Sequence, residues 1–194
     1  MVDNLELIKK LLVFEDDNDF YYLQILQRKK ENPQLGSNSR VIKNYYINSI
    51  NDLENKYDEI KKLCGFFNAR ASIRLNKRNY KIVAFKNLIN ISNNMMNNDY
   101  FNIKKSYDRA IGQNHSDKNK TWILDIDYKM TYNEIFCLED LINKSSTTIK
   151  NVICYIPSKS GMHLITKPFD KRDFLKLFPN IEIHKDNPTN LYIP

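Results

Sequence analysis

The sequence predicts an α+β fold in which a mixed, largely antiparallel sheet, or pair of sheets, is flanked by helices. Segments rich in aromatic and β-branched residues, such as 20–27 and 40–47, have the length and composition of strands. Other segments, such as 50–63, repeat apolar residues at helical spacing. Short turn-forming connections between several of the strands favour antiparallel pairing. With 194 residues and no internal repeat or glycine-rich linker, residues 1–194 are predicted to form a single domain.

The first part of this domain, residues 1–112, is expected to be an α/β unit. Residues 5–14 have helical spacing, and the strands 20–27 and 40–47 are expected to pair antiparallel across a loop that contains Pro, Gly, Asn and Ser. Ser49 is a predicted N-cap for a helix that continues to about Leu63 and ends at Gly65. Residues 80–111 are predicted to form two helices, joined by the asparagine-rich segment 92–98.

The segment 66–75 predicts a strand with one polar face. Strand alternation places Asn68, Arg70, Ser72 and Arg74 on the same side. One interpretation is a solvated face of an antiparallel sheet. The other is a phosphate-binding surface formed by Arg70 and Arg74, because a guanidinium matches the geometry of phosphate oxygens.

The second part, residues 121–194, predicts strands and short helices in close succession. A strand over 121–128 precedes a helix that starts at the capping-box pattern of Thr131 and Glu134. Further elements are predicted as strands 149–156, 162–166, 181–186 and 189–193, and as a helix within 169–178.

Composition favours a polyanionic partner and a reducing environment. The formal net charge is +7, which agrees with nucleic-acid binding but is weak evidence by itself. The three cysteines are widely spaced, so neither a disulfide framework nor a zinc site is expected. We expect an intracellular, cytoplasmic protein with no membrane partner, because the sequence lacks an apolar membrane span and a signal-peptide layout.

Two aspartates in the strand 121–128 predict a divalent-metal site. Asp125 and Asp127 are separated by one residue, so both carboxylates lie on the same face of the strand. Carboxylate oxygens are suitable ligands for Mg²⁺ or Mn²⁺, and a pair of such ions supports phosphoryl displacement. Because Asp-x-Asp is a common pattern, the prediction depends on what the rest of the chain supplies.

A second polar segment predicts phosphate binding. Ser158, Lys159 and Ser160 lie in a tight turn before Gly161, and they offer hydroxyl groups, backbone N–H groups and a flexible cation. His163 follows on an apolar strand. Such a histidine is either a hydrogen-bonded core residue or part of a site, and its proximity to the turn favours the site.

The order of these segments resembles the archaeo-eukaryotic primase (AEP) superfamily, the primase-polymerases of replicons, phages and plasmids. The matching motifs are Ile123-Leu-Asp-Ile-Asp127, Ser158-Lys-Ser-Gly-Met-His163 and Ile181-Glu-Ile183. The resemblance covers residues 121–194, and nothing specific matches residues 1–120. It implies an AEP catalytic core with an RRM-like sheet.

The resemblance also implies residue roles. Asp125 and Asp127 would bind two Mg²⁺ or Mn²⁺ ions, and His163 with the 158–160 turn would hold the triphosphate of an incoming NTP or dNTP. The third acid is Glu182 by motif form. Asp186 is the alternative, because it would share a strand face with Glu182.

The expected function is therefore DNA-dependent nucleotide addition on a single-stranded DNA template during replication initiation, by a primase or polymerase. A metal-dependent nuclease or phosphohydrolase would use the same acids, and a catalytically silent nucleic-acid-binding module would account for the charge. The segment ends after its last predicted strand, so we expect a minimal catalytic core or a fragment that depends on a replicative helicase or an accessory domain.

Overall fold

The computed structural model describes residues 1–36, 38–115, 119–145 and 151–194. Over these ranges the chain forms six α-helices and ten strands. The helices are α1 (Leu5–Lys9), α2 (Ile50–Phe67), α3 (Tyr80–Met96), α4 (Ser106–Gln113), α5 (Tyr132–Lys144) and α6 (Arg172–Leu177). The strands are β1 (Val2–Asp3), β2 (Asp19–Gln27), β3 (Arg40–Ile47), β4 (Arg70–Arg74), β5 (Arg78–Asn79), β6 (Trp122–Ile126), β7 (Val152–Pro157), β8 (Met162–Thr166), β9 (Glu182–His184) and β10 (Pro188–Ile193).

The strands form two antiparallel sheets, which confirms the predicted α+β class. The first sheet has the order β1-β10-β4-β2-β3, with β5 paired to β2. The C-terminal strand β10 therefore lies inside the sheet that the N-terminal residues build, with β1 on one side and β4 on the other. Backbone hydrogen bonds thus connect the two ends of the chain, and residues 1–112 form this sheet together with residues 188–193.

The second sheet has the order β7-β8-β6-β9, and all its strand pairs are antiparallel. Its inner strand β6 carries Asp125, and Asp127 follows directly after the strand ends at Ile126. The chain passes from β9 in this sheet to β10 in the first sheet over only residues 185–187. This short crossover holds the two sheets side by side.

Strand alternation decides which core each side chain of β6 enters. Leu124 and Ile126 pack with the helices α5 and α6 in the core of the second sheet. Ile123 points to the opposite side, where it joins Ile165 in the core of the first sheet. The side of β6 that bears Asp125 therefore faces the first sheet.

Two predicted helix starts are confirmed. The Ser49 hydroxyl accepts a hydrogen bond from the Asp52 N–H at 3.0 Å and caps α2. Thr131 and Glu134 form the capping box of α5. Local side-chain to backbone bonds of this kind are encoded by a few neighbouring residues, which is why sequence alone identifies them.

The predicted helix ends were less accurate. Helix α2 passes through Gly65 and ends at Asn68, which adopts the left-handed conformation with φ 46°. Asn68 is thus a helix cap, and the prediction that it lies on the polar strand face is wrong. Asparagine tolerates this conformation better than most residues, so a glycine was not required.

Helix boundaries elsewhere also differ from the predictions. Helix α3 extends through Met96, so most of the segment 92–98 is helical, and the break lies at residues 97–99 before a 3-10 turn, Tyr100–Lys105. Asparagine is only modestly unfavourable in a helix, and packing overrides its preference. Helix α1 ends at Lys9, short of the predicted residue 14, and α6 covers only part of 169–178. The first two residues of the predicted strand 149–156 lie outside the described residues.

Helix α3 packs on the first sheet beside α4, and many of its large apolar side chains face outward. Val83 joins Phe20 and Ile111 in a small buried cluster. The outward side, in contrast, exposes a series of large apolar side chains, among them Phe85 and Met96. No helix in the described parts of the chain has the length and apolar character needed to cross a membrane.

Candidate active site

A cleft of about 600 Å³ lies between the two sheets. One wall comes from the first sheet and the segment after β2, and the other from β6, β8 and the turn that joins β7 to β8. The cleft brings together most of the predicted site residues, which lie far apart in the sequence: Arg70, Asp125, Asp127, Ser158, Lys159, Ser160 and His163.

Asp125 and Asp127 line the cleft from the end of β6. The Asp125 side chain is about one-third exposed, and Asp127 is exposed. No described lysine or arginine forms an ion pair with either carboxylate. Asp125 Oδ1 is 3.4 Å from His163 Nε2. Asp127 Oδ1 accepts a hydrogen bond from the Ser160 hydroxyl at 3.3 Å. The two negative charges are therefore available to an external cation.

His163 lies opposite Asp125 in the β6–β8 register and connects the two sheets. Its Nδ1 is 2.8 Å from the hydroxyl oxygen of Thr189, which belongs to β10 of the first sheet. Burial lowers the pKa of the His163 imidazole below its ordinary value, more than the nearby Asp125 carboxylate raises it. The imidazole is consequently neutral at neutral pH, and it is held in place by the Thr189 contact.

The turn from Ser158 to Gly161 is a tight hairpin. The Ser158 N–H donates to the Gly161 carbonyl at 3.0 Å, and the Gly161 N–H donates to the Ser158 hydroxyl at 3.0 Å. The Ser158 hydroxyl is thus used to close the turn. Lys159 extends from the tip with a side chain that is 66% exposed, and Ser160 contacts Asp127.

Gly161 allows this hairpin to lie directly against the end of β6. A Cβ atom at this position would be 1.9 Å from the carbonyl oxygen of Ile126. No real side chain tolerates that distance, so any substitution pushes the hairpin away from the aspartates. The glycine is needed here for the close approach of two backbones.

We predict that Gly161→Ala lowers the free energy of unfolding by about 1–3 kcal/mol, because either the hairpin or β6 has to move. Urea denaturation followed by circular dichroism measures the change. Gly65→Ala is the matched control: Gly65 lies inside α2 with no atom within 4 Å of an added Cβ, so alanine is expected to stabilise the protein by roughly 0.4–1 kcal/mol. Equal effects of the two substitutions would contradict the tight contact.

The cleft also has a basic side that sequence analysis missed. Arg28 and Lys30 line it from the segment that follows β2, together with Glu31. The run Arg28-Lys-Lys30 is visible in the sequence, but basic residues in a loop are too common to indicate a site. Only the sheet arrangement places this segment opposite Asp125 and Asp127.

Glu31 binds Arg70 on this side. Arg70 Nε donates to Glu31 Oε2 at 2.9 Å, and a second guanidinium nitrogen contacts Oε1. Partial burial raises the pKa of the Glu31 carboxyl, but hydrogen bonding and charge attraction from Arg70 outweigh it, so the pKa lies below its ordinary value. Lys159 Nζ comes within 4.0 Å of the same carboxylate from the other wall.

Arg74 and Asp186 do not line the cleft. Arg74 donates to Asp186 Oδ2 at 2.9 Å, and the fully buried Arg78 also binds that carboxylate. The Asn76 amide donates to Asp186 Oδ1 at 3.1 Å. Asp186, the alternative third acid, is therefore already bound to two guanidinium groups, and the Arg74 head group is used in the same cluster.

Glu182 lies directly opposite Asp125 in the β6–β9 register, on the same face of the second sheet. Its side chain is 76% exposed and does not line the cleft, and its Oε2 is 3.2 Å from Nε2 of His184, which does. Within the described ranges, no group of three or more His, Cys, Asp or Glu side chains is close enough to hold a metal ion in this conformation.

Substitutions of the two candidates for the third acid are expected to change stability by very different amounts. We expect Asp186→Asn to destabilise the fold by about 3–5 kcal/mol, because it leaves the buried Arg78 without a negative partner. Glu182→Gln, at an exposed position, should change stability by no more than about 0.5 kcal/mol. Thermal and urea unfolding of both variants check the difference, and a mild effect of Asp186→Asn would show that its carboxylate is not structural.

Comparison of the chain with family models, with curated proteins and with solved structures finds no match.

Proposed function

We propose that this chain is the catalytic core of a DNA-dependent primase or polymerase of the archaeo-eukaryotic primase kind. One observation carries the proposal. Asp125 and Asp127 face a cleft without a lysine or arginine partner among the described residues, while Arg28, Lys30 and Lys159 line the same cleft. A cleft with two neighbouring carboxylates beside several cations suits a metal-bound polyphosphate better than it suits a neutral ligand.

The position of the three motif segments supports the same reading. Asp125 is on β6 and Asp127 follows its end, the 158–163 segment leads into β8, and Glu182 is on β9. Strands β8 and β9 are the two neighbours of β6. Residues from widely separated parts of the sequence are thereby collected at one end of one sheet. This collection of motif segments at one end of a sheet supports the proposal of an AEP-like core.

The donor set fits Mg²⁺ or Mn²⁺. Asp125 and Asp127 would hold the ions, since both supply hard oxygen ligands to the cleft at the end of β6. We propose Glu182 as the third acid, because its backbone is directly opposite Asp125 and a change of side-chain rotamer keeps it on the same face, whereas Asp186 is bound to Arg74 and Arg78. When bound, such ions activate a hydroxyl nucleophile and neutralise the departing pyrophosphate.

The remaining residues would bind and orient the nucleotide. His163, neutral and fixed by Thr189, faces the cleft and can form a hydrogen bond without adding a full charge. Lys159 at the hairpin tip can follow a phosphate as charge develops on it. No covalent intermediate with the protein is needed for this reaction.

A metal-dependent nuclease would use the same two aspartates, and it remains the second candidate. The cations of the cleft favour the polymerase, because a nuclease has less need of a separate binding surface for a triphosphate. A catalytically silent nucleic-acid-binding module would account for the basic residues. It would not explain why Asp125 and Asp127 lie beside them without a lysine or arginine partner among the described residues.

The test is incorporation of labelled nucleotide on single-stranded DNA, with and without a primer, in the presence of Mg²⁺ or Mn²⁺. We expect Asp125→Asn and Asp127→Asn to lower incorporation by on the order of 10²–10³-fold. Asp140→Asn removes a surface carboxylate paired with Lys144 and serves as the control, with activity retained.

A second readout is the shift in melting temperature when Mn²⁺ is added. It should be present in the native protein and in Asp140→Asn, and absent when both cleft aspartates are replaced, because among the described residues that line the cleft only Asp125 and Asp127 are carboxylates without a lysine or arginine partner. DNA cleavage without any nucleotide would support the nuclease instead. DNA binding that is unaffected by the aspartate substitutions, with no incorporation, would support the silent module.

A further inference from the structure

Helix α3 buries asparagines beside Val83 on its inward side and exposes most of its large apolar side chains. Asn87 and Asn94 lie on the inward side, where Asn87 Oδ1 and Asn94 Nδ2 are buried without a hydrogen-bond partner in the described parts of the chain. The outward side exposes what we call the α3 surface: Ile82, Phe85, Leu88, Ile89, Met95 and Met96, each more than half exposed. A surface helix is expected to turn its large apolar side chains toward the core, and α3 does so only at its N-terminal end, with Val83.

An apolar surface of this extent indicates a binding partner. Isolated exposed apolar residues are ordinary, but a contiguous row along one helix is characteristic of an interaction site. The helix has 17 residues and is therefore about 25 Å long, which is enough to contact a partner helix over several turns.

The chemistry of the surface identifies the class of partner. Five of its six side chains are aliphatic or thioether groups, which cannot stack on bases as an aromatic single-strand binding surface does. Helix α3 contains no acidic residue, and its charged residues are Lys81 and Lys86. Lys104 and Lys105 follow the helix in the 3-10 turn Tyr100–Lys105, where the Lys104 ammonium lies over the exposed Phe101 ring. Basic residues around an apolar strip complement an acidic one.

We propose that the α3 surface binds an amphipathic helix of a partner protein that carries acidic residues beside its apolar face. Such a helix would cover the exposed side chains and place its carboxylates near the four lysines. Self-association through this surface would bring lysines of two copies together, so a second copy is the less favourable occupant.

The test uses a synthetic 18-residue peptide with leucines at helical spacing and glutamates elsewhere, and a comparison peptide with lysines in place of the glutamates. Fluorescence anisotropy should show binding of the acidic peptide only. The double variant Leu88→Glu with Ile89→Glu should weaken it by at least about tenfold, because it adds negative charge to the apolar strip. Phe136→Glu, at a residue 74% exposed on α5, is the control and should bind like the native protein.

Three results would overturn this proposal. The first is equal binding, or no binding, of the two peptides. The second is a concentration-dependent dimer in light scattering that the double variant abolishes, which would make a second copy the occupant. The third is loss of single-stranded DNA binding in the double variant, which would make the surface a nucleic-acid contact.

The contact of Glu31 with both walls of the cleft carries a second, independent inference. Glu31 neutralises Arg70 of the first sheet and lies 4.0 Å from Lys159 of the second. The side chains of Arg70 and Glu31 are only 12% and 18% exposed. A carboxylate thus occupies the position between two cations that a phosphate group entering the cleft would take.

We infer that Glu31 is an internal competitor of the polyphosphate ligand. A triphosphate has a higher charge than a carboxylate and can bind a guanidinium through two oxygens, so it displaces Glu31 from Arg70 and Lys159. This inference rests on the proposed function for the identity of the ligand, but it concerns phosphate binding alone and not nucleotide addition.

Calorimetric titration with inorganic tripolyphosphate, without divalent metal, tests the inference separately from catalysis. Glu31→Gln should bind tripolyphosphate on the order of tenfold more tightly than the native protein, because a charged competitor has been removed. Glu59→Gln removes the same charge from the surface pair with Lys43 and should leave the affinity unchanged. Thermal unfolding of each variant establishes that it is folded.

Glu31→Asp, whose carboxylate is one methylene shorter, should give an intermediate affinity, and it replaces Glu31→Gln if that variant is not folded. Unchanged or weaker binding by the Glu31 variants would overturn the inference and make Glu31 a residue that orients Arg70. Tighter binding in a protein that incorporates no nucleotide would leave the inference standing and remove the proposed function.

Discussion

The cleft depends on the buried cluster around Asp186. Its carboxylate binds Arg78, whose side chain is fully buried, and Arg74 at the end of β4. Asn76 belongs to the same cluster, and its side chain also bonds the backbone of Thr121, directly before β6. Charges removed from water in this way are stable only when every partner is present. The cluster therefore fixes both the crossover from β9 to β10 and the start of β6, the strand that carries Asp125.

The crossover in turn decides the composition of the two cleft walls. Because β10 enters the first sheet and β9 remains in the second, the two sheets are joined by three residues and cannot separate freely. His163 and Thr189 form a second link across the same boundary. The walls differ in charge: Asp125 and Asp127 lie on the wall of the second sheet together with Lys159, whereas Arg28, Lys30 and the Glu31–Arg70 pair lie on the wall of the first. A ligand that contacts both walls has to carry negative charge for one and a cation for the other, as a metal-bound polyphosphate does.

The cleft and the α3 surface would serve two separate functions within this chain. Chemistry would take place between the sheets, where the side chains are fixed by hydrogen bonds and ion pairs. Binding of the partner protein would take place on α3, whose exposed apolar side chains have no partner among the described residues. Burying asparagines to expose apolar side chains costs stability, and a bound partner would offset that cost. The two functions use different residues, so substitutions can separate them.

The sequence by itself determined the features that depend on neighbouring residues. Strand alternation predicted that Asp125 and Asp127 lie on the same side, and both line the cleft, although β6 ends at Ile126 before Asp127. Local patterns identified the caps at Ser49 and Thr131 and the turn before Gly161. Only the tertiary structure decided which distant residues meet. Asp186 is bound by Arg78, 108 positions away, and Arg70 by Glu31, 39 positions away. Such pairings follow from sheet order and register, which many long-range contacts set together, so no local pattern could show that Arg74 is withdrawn from the cleft, that Glu31 enters it, or that α3 exposes its apolar side.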